Sequence, residues 1–192
     1  MEESTKSAII KSIVLCLLGA IFIGGIFLVI VRNKKPKTGD DYVLTVVDGI
    51  TTTDLDKKYP SDGIQVVELY TKILQVMYKE TYTDDQADAM LKVMKGLMDE
   101  DFLAQNQNFE GVMKLDVKQK RDDDYSIPLY TVITKDPVIR ELDGKKTQMV
   151  ECKILLRHGT VGENFIYQFI LRKDDEGKWK IFGWQVKPEE DD

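Results

Sequence analysis

Hydrophobic residues along this chain follow three regimes of spacing: an unbroken run, then a period near 3.6, then a period of two. The run comes first. Residues 12–31 carry no charge, and at about 1.5 Å rise per residue such a helix crosses a hydrocarbon layer of roughly 30 Å. A core helix needs a polar face, which this segment lacks, so residues 9–31 read as a transmembrane helix behind a short tail, 1–8. The polar stretch NKKPKTGDD comes next, with Pro36 and Gly39, and reads as a tether. Residues 32–58 then form a linker with a short strand at 42–47.

The helical period begins near residue 62. Ser61 and Asp62 suit an N-cap, and Ile64, Val67, Tyr70, Leu74, Met77 and Tyr78 keep one face, predicting a helix over 62–80. Thr83-Asp84-Asp85-Gln86 has the form of a capping box, ahead of a face made by Ala87, Met90, Leu91, Met94, Leu97 and Met98. Residues 99–106 read as a turn or continuing helix, and Phe109, Val112, Met113 and Val117 as a third helix. After Asp124 the period changes to two. Ile127, Leu129, Tyr130, Val132 and Ile133 mark a strand, Asp143-Gly144 a tight turn, and Val150, Cys152, Ile154 and Leu156 one face of a second long strand. Phe165, Tyr167, Phe169 and Leu171 repeat that face before the turn Asp174-Asp175-Glu176-Gly177. A last strand with Trp179, Ile181, Phe182 and Trp184 precedes an acidic tail, 188–192. Helices first and hairpin-linked strands afterwards predict one α+β domain over residues 59–187, with an antiparallel sheet against the helices.

Composition narrows the function classes. The chain has 27 Lys and Arg against 33 Asp and Glu, a net charge of −6. Nucleic acid is bound mainly by neutralising its phosphates, so an acidic domain without a basic stripe is a poor binder of it. Of the two cysteines, Cys16 falls in the apolar run, leaving Cys152 without a partner for a disulfide and reading as a small buried apolar residue.

The apolar run also carries a seam. Ser12, Cys16, Ala20 and Gly24 recur every fourth residue and would let a second helix backbone approach closely, favouring a homo-oligomer. The apolar run continues past Gly19-Ala20 and Leu15 precedes Cys16, which disfavours signal cleavage and lipoprotein processing. Arg32, Lys34, Lys35 and Lys37 outnumber Lys6 and Lys11, and the positive-inside rule by itself would keep the domain beyond them cytoplasmic. An anchor so near the N-terminus commonly exports the domain attached to it, and the expected placement is a single-pass plasma-membrane protein with its domain outside the cytoplasm.

The element order over residues 62–186, with the ending Phe169-Ile170-Leu171-Arg172-Lys173-Asp174, Gly177-Lys178-Trp179-Lys180-Ile181 and Gly183-Trp184, resembles the NTF2-like (cystatin-like) superfamily. That resemblance implies a cone of helices packed on a curved antiparallel sheet. The chain is also similar to uncharacterised single-pass proteins of Gram-positive bacteria, which share Tyr59-Pro60, Tyr70 and the same ending, and more distantly to VirB8-like scaffolds of conjugation and type IV secretion machines. These likenesses imply a fold and an envelope setting, not an activity.

The residues offer little chemistry. His158 is the only histidine, which limits metal sites and triads, and at a strand end it reads as an exposed turn residue. No P-loop, dinucleotide fingerprint or GxSxG occurs. Some NTF2-like relatives hold a carboxylate inside the cone for proton transfer. The inward positions here contain no Asp, Glu or His, so Tyr167 is the one polar pocket residue. The expectation is a non-enzymatic, membrane-anchored interaction or scaffold domain with envelope protein partners, no cofactor and no metal. The alternatives are a small-molecule-binding cone or isomerase/dehydratase using Tyr167, and a VirB8-like component of a conjugation machine.

Overall fold

The computed structural model describes residues 44–187. The apolar segment 9–31, its seam Ser12, Cys16, Ala20 and Gly24, and the tail 188–192 lie outside the described residues. Among those described, no helix is long and apolar enough to cross a membrane.

Among the described residues five helices precede five strands: α1 Val46–Thr51, α2 Gly63–Lys79, α3 Asp84–Gly96, α4 Glu100–Gln105 and α5 Phe109–Asp122, then β1 Tyr125–Val132, β2 Arg140–Leu142, β3 Lys145–His158, β4 Val161–Lys173 and β5 Trp179–Lys187. Of the segment read as a strand at 42–47, the described residues 44–47 hold a helix start instead. Thr45 and Asp48 form a capping box, each side chain accepting from the other's backbone N–H, and this local closure outweighs the strand-like composition around it. Val47 and Ile50 of α1 are buried in the core.

Helix α2 starts on Asp62, whose carboxylate accepts from Gln65 N–H at 2.9 Å. Its buried face is wider than one stripe, because Val66, Ile73 and Val76 join Val67, Tyr70 and Met77. Gly63 lies where the buried Gln148 amide meets the helix start, and a Cβ there would fall 1.7 Å from Gln148 Nε2, so any larger residue requires that amide to move. Helix α3 begins with the anticipated capping box: Gln86 N–H donates to Thr83 Oγ1 at 3.2 Å, and Gln86 Oε1 accepts from Thr83 N–H at 2.9 Å. Leu97 and Met98, read as helix positions, lie just past its end.

The sheet is antiparallel with strand order β1-β3-β4-β5, and β2 extends the β1 side of β3. Asp143 and Gly144 are both left-handed, at φ 53° and 75°, the geometry of the two-residue turns that match strand twist. The second turn closes on Asp174, whose Oδ1 accepts from Glu176 and Lys178 N–H. Val150, Cys152, Ile154, Phe169 and Leu171 are buried against the helices. The outward face carries a polar ladder in which Lys187 and Gln168 both meet Glu151 and Gln185 donates to Gln168.

Two bulges redirect the pattern. Between Ser126 and Leu129 the β1 register slips, and Gln75 of α2 donates to the freed carbonyls of Ile127 and Pro128 at 2.9 and 3.4 Å. In β5, Leu171 pairs with Ile181 but Ile170 with Gly183, so Phe182 is an extra residue. Strict alternation from Trp179 and Ile181 would send Trp184 outward; the bulge returns it to the core side, against Tyr70 and Phe169.

The helical layer is tied to the sheet at Asp99. Its backbone N–H donates to Ile181 C=O at 2.9 Å while Ile181 N–H donates to Leu97 C=O at 2.8 Å, adding residues 97–99 to the β5 edge. Its carboxylate caps α4, accepting from Asp101 N–H, and takes both Nε and Nη2 of the buried Arg172. Arg172 Nη2 also reaches Asp101 Oδ2 at 2.6 Å, and its guanidinium lies 3.7 Å over the Phe182 ring. Removing one partner strands the other charge, so Arg172→Ala is expected to cost about 3–5 kcal/mol. Breaking the exposed Lys118–Asp122 pair with Lys118→Ala is expected to cost under about 0.5 kcal/mol. Urea denaturation followed by tryptophan fluorescence measures both.

Candidate functional site

The sequence singled out Tyr167, and the structure places it on the inward face of β4, half-buried at the end of the sheet where cover by the helices thins. Phe165 beside it is also half-buried, and Val186, the register partner of Tyr167 on β5, is 48% exposed. Deeper along the same face the space is closed by rings. Tyr70 from α2 meets Phe169 edge-on at 5.6 Å between centroids and Trp184 at 5.5 Å. Phe102 of α4 continues the stack to Trp184 at 5.6 Å and to Phe109 at 5.9 Å. Such offset and edge contacts add to the burial of large apolar area. Trp179 packs into the core at the other end of β5, with its carbonyl accepting from the Tyr59 hydroxyl at 2.9 Å.

The acid missing from the inward strand positions comes from a helix. Asp116 on α5 accepts the Tyr78 hydroxyl at 3.1 Å, and its charge reaches Tyr70 and Tyr167 as well. Burial pushes the phenols of Tyr70, Tyr78 and Tyr167 above the ordinary tyrosine value, and the Asp116 charge raises each further. All three therefore stay protonated at neutral pH. Among the described residues the Tyr167 hydroxyl has no hydrogen-bond partner. The arrangement offers one neutral donor at an apolar rim and a carboxylate already engaged by Tyr78, a set suited to holding a polar atom. Helical periodicity could have flagged Asp116, since it comes after Phe109 and Val112 around α5, but nothing local links it to Tyr78 or Tyr167.

The remaining residues of interest fall apart in space. His158 ends β3 and stacks on Tyr125 at 4.5 Å, with Lys120 Nζ also 4.5 Å from that ring. Cys152 is buried beside Thr71, and burial raises its thiol pKa. A groove of about 440 Å³ runs between α3 and α5 past Ala87, Leu115 and Val117. Another of about 490 Å³ is lined by Lys95, Lys145, Lys178 and Lys180, but these pair with Glu110, Asp101, Glu176 and the Gly96 carbonyl. Among the described residues no group of three His, Cys, Asp or Glu is placed to hold a metal.

The chain belongs to the DUF6715 family, a domain of unknown function, whose profile matches residues 1–184. No curated protein matches it. Among solved structures, the intermembrane space region of chloroplast protein ARC6 is similar over 66% of this chain and 98% of that one, with 14% identity and a TM-score of 0.33. A likeness that low bears on neither fold detail nor function.

The tyrosine cluster sets an alkaline limit. A phenol whose folded pKa lies above its unfolded value of about 10 contributes stability that is intact below pH 10 and lost as pH rises toward the folded pKa, because the unfolded chain ionises first. Ultraviolet titration is expected to show Tyr70, Tyr78 and Tyr167 ionising only with unfolding, above the exposed tyrosines. Asp116→Asn, which removes the nearby charge, is expected to lower the folded pKa of these phenols, so that their ionisation begins before the domain unfolds.

Proposed function

We propose that this chain is a non-enzymatic, membrane-anchored interaction or scaffold protein of the bacterial cell envelope, with its domain built as an NTF2-like cone outside the cytoplasm. The observation that carries the reading is the aromatic closure of the inward sheet face. Tyr70, Phe102, Phe169 and Trp184 occupy the space where a buried acid and a substrate would have to sit. The cone is supported by the order of the elements and by a helical layer covering one face of a bulged antiparallel sheet. Anchoring is supported by the uncharged run at residues 12–31. Export is the placement proposed for the domain that follows this anchor, and the basic residues Arg32, Lys34, Lys35 and Lys37 argue for the opposite side.

A second reading, a ligand-binding cone, is favoured by one observation: the unpartnered Tyr167 hydroxyl beside the Tyr78–Asp116 pair at a half-open rim. A ligand held there would lose about 1 kcal/mol or more with Tyr167→Phe, a loss that calorimetry of any ligand found by thermal-shift screening would report. A VirB8-like role in a conjugation machine is the narrower form of the scaffold reading.

Crosslinking in intact cells followed by affinity capture of the full chain is expected to recover a reproducible set of envelope proteins. Recovery of background alone would overturn the scaffold reading. Protease added to intact spheroplasts is expected to degrade the domain; its survival would reverse the orientation.

A further inference from the structure

The sheet has two edges, and among the described residues only one is covered. On β5, residues 97–99 add a short parallel stretch through Ile181. On the other side, among the described residues, β1 has no strand beyond it. Ile133 N–H donates to Glu151 C=O, and hydrogen-bonded and non-hydrogen-bonded pairs alternate along an antiparallel ladder. With Tyr130 facing Ile154 and Val132 facing Cys152, the backbone N–H and C=O groups of Tyr130 and Val132 therefore point away from β3, along the bare edge. Among the described residues nothing pairs with them.

We propose that this edge pairs with β1 of a second copy, across a two-fold axis at Thr131, joining two sheets into one. The register is set by which groups are free. Tyr130 of one chain faces Val132 of the second copy, and the two symmetry-related pairs exchange four backbone hydrogen bonds. Thr131 then faces Thr131 of the second copy. Leu129, 61% exposed, faces Ile133, 40% exposed, so two solvent-facing apolar side chains cover each other on either side of a Thr–Thr pair, a combination that stabilises cross-strand pairing.

Charge fits the same axis. Glu68 and Lys72 are exposed one turn apart on α2, in the groove shared with Tyr130, and neither has an ion-pair partner among the described residues. A two-fold axis reverses the order of these charges on the second copy, so acid meets base on both sides. The register is also bounded. Pro128 has no N–H to donate, and its carbonyl is taken by Gln75, so the ladder stops at Leu129 instead of propagating. The inference concerns the surface of the domain and does not rest on the envelope reading.

In such a ladder the two Thr131 residues form a non-hydrogen-bonded pair with Cα atoms about 4.5 Å apart, within the span a disulfide bridges. The test uses the full chain in mild detergent, with Cys16→Ser so that the apolar segment cannot supply the bond. Thr131→Cys is expected to give a covalent dimer under mild oxidation, whereas Gln185→Cys, exposed on the far strand, gives none. Lys72→Glu is expected to weaken self-association about tenfold by setting like charges against each other, and adding Glu68→Lys to restore it. Equal crosslinking at both cysteines, or no change in association with Lys72→Glu, would overturn the proposal.

Discussion

The buried guanidinium of Arg172, paired with Asp99 and Asp101, fixes the segment between α3 and α4 against the sheet. Asp99 serves three ends: its backbone extends the β5 edge, its carboxylate caps α4, and the same carboxylate accepts two guanidinium nitrogens from β4. Both side chains are buried, where an unpaired charge is costly. Geometry that separated them would therefore be penalised strongly. The bulge at Phe182 fits this constraint, since its ring stacks on the guanidinium while the change of phase it introduces turns Trp184 into the core.

The residues that carry the sequence resemblance mostly do architectural work. Tyr59 ties the loop before α2 to the Trp179 carbonyl and is flanked by Lys178 and Lys180. Tyr70 and Trp184 close the interior, and Arg172 locks the layers. A motif made of such residues reports a way of packing, and it is silent on ligands for that reason. The groups with unused capacity lie elsewhere, at the Tyr167 rim and along β1.

The two sheet edges show different treatments of the same problem. Unpaired backbone groups on an edge strand invite other strands. One edge is answered within the chain by residues 97–99; on the other, Pro128 and Gln75 block only the first part of β1. The open portion is short and has a symmetric pattern of apolar, polar and apolar side chains, which restricts the partner it fits.

By itself the sequence determined whatever depends on near neighbours. The Thr83–Gln86 capping box, the turns at Asp143-Gly144 and Asp174–Gly177, the faces of α2 and α3 and the inward series on β3 and β4 all come from periods and hydrogen bonds spanning a few residues. Tyr167 was legible as an inward polar position on that basis. The tertiary structure alone decided the meeting of Asp99 with Arg172, the approach of Asp116 to Tyr78 and Tyr167, and the two bulges. Those features join residues far apart in the chain, or depend on the packing against a strand, and no local period records either. The helix at Val46–Thr51 marks the boundary: its capping box was present in Thr45 and Asp48, but a short apolar stretch reads as a strand or a helix until the core it enters is known.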